Sequence, residues 1–258
     1  MAAGPLRFVE TPLVSYLLRR ADDALVLGHR LSEWCGRAPS MEEDMALANM
    51  GLDLIGQARS LYSHAAEIEG GGHDEDAFAY HRDERAYRNL LLVEQPNGDF
   101  AVTILRQFLY AAFVEPYWRA MMGSRDATLA AIAAKAEKEM AYHVRHSAEW
   151  VIRLGDGTAQ SRARIVAALD TLWPFTGELF EADAPDRAVI EEGIGLDPLA
   201  LREAWDDVVA RVFAQATLPM PRDGAMRKGG RSGRHSEHLG PMLAQMQYLQ
   251  RAMPGASW

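Results

Sequence analysis

Apolar residues return every three to four positions over most of the chain, the period of a helix that presents one face to a core. Alternation with the strand period of two is weak throughout. Thr11-Pro12 is a cap followed by proline at the first helical position, and it opens a helix that runs roughly to Gly36. Ser40 to Glu43, SMEE, reads as a capping box in which the Ser40 hydroxyl accepts from the third amide and Glu43 reaches back. The second helix runs from there to about Glu69 and stops at GGG. PNGD precedes a third helix at about 99–123, and Asp126 caps a fourth that ends at LGDG, 154–157. Further helices are expected near 160–182, 198–217 (Asp197 as cap, Pro198 next) and 236–252.

On a helical wheel the second helix carries two stripes. Met41, Met45, Ala48, Leu52, Ile55, Tyr62 and Ala66 form one; Leu47, Met50, Leu54, Ala58, Leu61, Ala65 and Ile68 form the other. Together they cover more than half the circumference, so this helix is expected to be central and packed on several sides. The first and second helices are joined by a turn, as are the third and fourth, which makes each pair an antiparallel hairpin. Residues 70–98 are too many for a turn and are expected to cross back along the bundle, through a short helix around 75–93. Two hairpins joined by one long crossover make an all-α, ferritin-like four-helix bundle with additional C-terminal helices. The expected organisation is a single domain over 1–258, with the core bundle at about 12–155 and the C-terminal helices at about 158–253.

That bundle often holds two metals, through a Glu from each of two helices and E-x-x-H from each of the other two. The stretch KEMAYHVRHSAEW places Glu139, His143 and His146 on one helical face, which raises the question directly. No histidine in the chain has Glu three residues before it. At mid-depth the second helix reads DLIG, with Asp53 followed by Gly56 where a histidine belongs, and the fourth reads EMAY, with Tyr142 there. The same depth falls near Asp22 and Asp23 on the first helix and near Tyr110 on the third, whose stretch RQFLYAAFV has no carboxylate. Glu115 follows, next to Pro116, which is expected to kink the helix. Asp23, Asp53, Gln57, Glu139, Tyr142, His143 and His146 therefore read as a degenerate site without metal. A mononuclear oxidase site on Glu139, His143 and His146 would draw all its ligands from one helix. A hydrogen-bonded polar stripe with partners at Asp53, Gln57 and Ser60 is preferred.

The net charge of −9 disfavours non-specific nucleic-acid binding. One basic stretch stands out, RKGGRSGRH at 227–235, with Arg227, Lys228, Arg231 and Arg234; it reads as a flexible solvated loop or as a contact for an anionic ligand. The lone Cys35 excludes an intrachain disulfide and is expected to be a buried structural thiol. No run approaches the ~18 apolar residues of a membrane span, and no secretory leader precedes the first helix, so a cytoplasmic protein is expected. No nucleophile elbow, Walker loop or dinucleotide fingerprint is present.

Five stretches carry a resemblance: LVLGHRLSEWCGRAP (25–39), ALANMGLDLIGQAR (46–59), RNLLLVEQPNGDF (88–100), EKEMAYHVRHSAEW (137–150) and HLGPMLAQMQYLQR (238–251). In this order, and over nearly the whole chain, they resemble the C subunit of the bacterial ring-1,2-phenylacetyl-CoA epoxidase. The resemblance implies a non-catalytic bundle paired with a similar A subunit that carries the di-iron centre, with an NADPH-dependent reductase supplying electrons for epoxidation of the phenylacetyl-CoA ring by oxygen. No cofactor is implied for this chain. The amphipathic stretch at 235–250 is a candidate face for the A subunit, with His235, Glu237, His238, Leu239, Met242 and Met246 as contacts. Packing of that stretch on its own bundle is the competing expectation. Arg227, Lys228, Arg231 and Arg234 are candidate contacts for the phosphates of coenzyme A. A purely structural helical interaction protein with no enzyme attached is the remaining alternative.

Overall fold

The Thr11 hydroxyl accepts from the Val14 amide at 3.2 Å and Pro12 fills the first turn, so α1 (Pro12–Ser32) begins where the sequence places it. The structure, a computed structural model, describes residues 6–222, 224–254 and 256. α1 ends four residues earlier than expected. Asn97 caps the end by donating to the Arg30 carbonyl at 2.7 Å, and the chain turns so that the Trp34 indole donates to Thr103 at 3.0 Å. Cys35 lies on that turn and is exposed, contrary to the buried thiol expected.

Ser40 caps α2 (Met41–Glu69), which stops at Gly70 in the left-handed conformation, its amide on the Ala66 carbonyl at 3.1 Å. The crossover contains α3 (Glu75–Tyr80) and α4 (Leu91–Glu94), with a 3-10 turn at Glu84–Ala86 between them. Asp99 caps α5 (Phe100–Met121), which continues through Pro116 to its end, and Asp126 caps α6 (Ala127–Gly155). Tyr16 meets Tyr117 at 2.6 Å and Trp34 meets Thr103, so α1 and α5 run antiparallel. Glu43 meets His146 and His64 meets Asp126, so α2 and α6 do too. α2 is then parallel to α5. Only a long crossover can connect them, and the bundle is ferritin-like and all-α, with no strand among the described residues.

The C-terminal half forms α7 (Ala159–Leu172), α8 (Ala184–Glu191), α9 (Arg202–Gln215), α10 (Leu239–Met246) and α11 (Tyr248–Ala252). The helix expected over 160–182 breaks at Leu172 because Pro174 has no amide to continue it, and two 3-10 turns follow. α8 has no counterpart among the expected helices, although Asp183 and Asp186 form a capping box at its start. Residues 229–238, with a 3-10 turn at Gly230–Ser232, lie across α1 and the crossover as a strap.

These additions cover two sides of the bundle. α7 and α9 pack on α5, while α8 and α4 pack on α1. As a result 17 of the 21 residues of α1 and 16 of the 22 of α5 are buried, against 12 of 29 in α2 and 8 of 29 in α6. The central helices are therefore α1 and α5, not α2. Of the two α2 stripes, the one through Leu47, Met50, Leu54, Ala58 and Leu61 is in the core, while Met41, Met45 and Leu52 of the other are exposed. Gly28 and Gly51 face each other where α1 and α2 pack closest; a Cβ on either would lie 3.2 Å from the other's carbonyl oxygen.

Candidate functional site

The side chains that the sequence sets apart on α2 and α6 meet in pairs along one seam. At its upper end the His146 ring donates to Glu43 at 2.9 Å. One rung lower, His143 sits fully buried between two helices: its Nε2–H donates to Asp53 at 3.2 Å, and its Nδ1 accepts from the Gln107 amide of α5 at 3.0 Å. Next, the Gln57 amide donates to Glu139 at 2.9 Å, and Lys135 approaches the same carboxylate at 3.4 Å. At the lower end His64 donates to Asp126 at 2.7 Å. Each group thus has a partner on a neighbouring helix, as buried polar groups require. Ser60 turns back to its own helix, donating to the Gly56 carbonyl at 3.0 Å.

The seam does not fit a pair of irons. Among the described residues no three His, Cys, Asp or Glu side chains converge as metal ligands. Tyr142, at the position where a histidine would complete E-x-x-H, points outward, its ring beside that of His146 at 5.8 Å and under the Arg145 guanidinium at 5.5 Å. Tyr110 is buried in α5 without a carboxylate beside it on that helix. The acids of α1 are held elsewhere. Asp22 accepts from Tyr62 at 2.5 Å, from the Arg88 amide at 2.7 Å and from the fully buried Arg82 guanidinium. Asp23 accepts from the Leu90 amide at 2.7 Å and from both terminal nitrogens of Arg231, at 3.0 and 2.7 Å. Burial pushes the Asp23 carboxyl up, and Arg231 and Arg20 pull it back.

Arg231 is therefore committed to an internal pair and is a poor match for the phosphate contact expected of it. It also donates to the backbone carbonyls of Arg19 and Arg88. The basic stretch is a strap, not a flexible loop. Arg227 lies over the Phe175 ring at 5.4 Å, Lys228 pairs with Glu181 at 3.0 Å, and Arg234 is exposed, donating to Ser232 at 3.3 Å. Glu178 fastens the strap to the crossover by accepting from the amides of Gly229 and Leu91, both at 2.9 Å.

Most of the C-terminal face expected to contact a partner is likewise turned inward, although Tyr248 and Leu249 at its end are exposed. Leu239, Met242 and Leu243 are buried in the chain's own core, Met246 packs partly against it, and Glu237 and the half-buried His238 lie at its edge. Here the competing expectation, packing on its own bundle, holds. His235 is buried with Glu94: its Nδ1–H donates to Glu94 at 2.8 Å and its Nε2–H to the Tyr87 carbonyl at 3.0 Å. Acceptors on both nitrogens require an imidazolium. Burial pulls its pKa down, but the hydrogen bond and charge of Glu94 outweigh this and hold it above the usual 6.5. A raised folded-state pKa stabilises the protein fully below the unfolded value, and that stability is lost as pH rises through the raised value. Thermal melts from about pH 6 to about pH 9 should show wild type losing its advantage over His235→Gln as pH rises. Parallel curves would refute the charged pair.

Glu94, Glu178, Arg82 and Gln107 do not stand out in the sequence. A faint signal is present: Arg19, Arg20, Asp22 and Asp23 crowd four charges into little more than one turn of α1, which is possible in a buried helix only if distant segments bring partners.

Residues 7–258 match the family model described as phenylacetic acid catabolic protein. The chain is 55% identical over 246 residues to the C subunit of 1,2-phenylacetyl-CoA epoxidase from Escherichia coli (strain K12), and the match covers 95% of this chain and 99% of that one. Both the full-length match and the ferritin-like bundle place this chain in the phenylacetic acid catabolic protein family.

Proposed function

We propose that this chain is a non-catalytic structural subunit of a multicomponent di-iron mono-oxygenase that epoxidises phenylacetyl-CoA, and that it pairs with and supports the A subunit that carries the irons. The observation that supports this most is the seam itself. His143, His146 and Glu139 are divided among Asp53 with Gln107, Glu43 and Gln57, so the donors that would grip metal instead hold helices together. In this reading the NADPH-dependent reductase serves the A subunit. Contacts with coenzyme A phosphates fall to Arg227, Lys228 and Arg234, while Arg231 neutralises Asp23.

Co-expression with an A subunit tests the role. The complex should carry iron and turn over phenylacetyl-CoA with reductant and oxygen, and this chain alone should do neither. His143→Ala removes a fully buried ring and leaves the Gln107 amide unpaired, so it should lower the chain's stability by about 2–4 kcal/mol. Iron per complex should not change. Iron bound near one equivalent by this chain alone, and lost in His143→Ala, would overturn the assignment in favour of a stand-alone oxidase.

A further inference from the structure

We propose that the bare face of α2 and α6, centred on Met41, Met45, Leu52 and Tyr142, is the surface on which the iron-bearing subunit docks. The inference rests on the subunit role proposed above and adds to it a location. Met41, Met45 and Leu52 are 74%, 60% and 66% exposed and lie on one line of α2. The line continues through Ile55 into a cleft of about 310 Å³ between α2 and α3, with Leu25, Ala58 and Ala79 on its walls and the Arg59–Glu75 ion pair and Asp76 also lining it. An exposed apolar line that ends in a slot is suited to receive a ridge of large aliphatic side chains from a facing helix.

The size is right for a stable heteromer. Two antiparallel helices of 29 residues are each ~43 Å long, and side by side they make a face about 20 Å wide, so roughly 860 Å². A standard interface buries about 800 Å² on each partner. At the seam the Glu43 and Asp53 carboxylates already accept hydrogen bonds from His146 and His143, so covering them leaves neither without a donor. Lys138, Arg145 and Glu149 are exposed along α6 and Glu42 on α2, so the facing surface should carry both signs of charge around its aliphatic ridge. α4 and α7 to α9 cover the flanks of α1 and α5, and the apolar side of α10 is used internally; Tyr248 and Leu249 are exposed as well, but on α11, a helix of only five residues. The relative in E. coli is lettered as one subunit of an epoxidase, which favours a different chain over a second copy of this one.

The test uses Leu52→Glu and Met45→Glu in the full chain, with Leu199→Glu as control. Leu199 is also exposed, but it lies on a turn packed against α5 and α9, on the opposite flank. Affinity for the A subunit should fall about 100-fold or more in the first two, because each would bury an unpaired carboxylate, and by less than about 3-fold in the control. All three chains should melt as wild type when alone, since the replaced side chains are exposed. If wild type pairs and both seam variants pair equally well, the docking surface is elsewhere and the subunit role stands. If wild type fails to pair, the role falls and the surface with it. A wild-type dimer of this chain alone that Leu52→Glu dissociates would assign the face to a second copy and overturn the proposal.

Discussion

Arg231→Met should destabilise the protein by about 3–5 kcal/mol, one of the two largest single-site effects expected in this molecule. Arg231 lies 208 residues from Asp23 in sequence, yet two of its nitrogens sit on that carboxylate, which is almost wholly buried. Methionine keeps much of the volume but leaves Asp23 with only Arg20, 3.7 Å away, as a charged neighbour. The carboxylate must then remain charged in a low-dielectric site or take up a proton at neutral pH, and both are costly. The penalty arises from isolating one ion, not from losing a strong bond, so Asp23→Asn in the same chain should restore much of the loss. Urea titrations of the two single variants and the double variant form a cycle that measures this coupling. Additive losses would show that the pair is not the clasp of the strap. The same variant bears on substrate: coenzyme A thioester affinity of the assembled complex should change little, because Arg231 already has its anion.

The second large effect is expected at Trp205, on α9. Its side chain is completely buried, its indole donates to the Leu109 carbonyl of α5 at 3.0 Å, and its rings lie 5.6 Å from Trp173 and 5.4 Å from Phe180. Trp205→Ala should cost about 3–5 kcal/mol through lost burial and the cavity left behind. Trp205→Phe keeps most of the apolar contact and loses the hydrogen bond, so about 1–2 kcal/mol is expected. Chemical denaturation of the three proteins separates the terms. A loss below about 1 kcal/mol for the alanine variant would mean that α9 does not close the core over α5. The effect reaches the seam indirectly, because α5 also holds Gln107 against His143.

Helix starts are legible in the sequence because caps act over three or four residues. Thr11, Ser40, Asp99, Asp126 and Asp197 all accept from the amides that their positions imply. Helix ends are less so. Ser32 ends α1 because Asn97 and Thr103, far along the chain, take up its last turn and Trp34, and no local pattern reports that. The doubled stripe on α2 is plainly apolar, but hydrophobicity alone does not say which apolar face the chain itself will cover. The same ambiguity attaches to Leu239 and Met242, and there the outcome is the reverse: a stripe suited to a partner is consumed by its own bundle.

By itself the sequence determined the helical period, the two hairpins, the length of the crossover and the absence of any E-x-x-H, since each depends on residues a few positions apart or on the count between them. The tertiary structure alone decided that Asp22 and Asp23 are neutralised by Arg82 and Arg231, that His143 lies between Asp53 and Gln107, and that α2 rather than α1 is left bare. A buried charge needs a counter-charge within a few ångströms, and which one arrives is set by how separate segments cross in space, a relation that no spacing along the chain encodes.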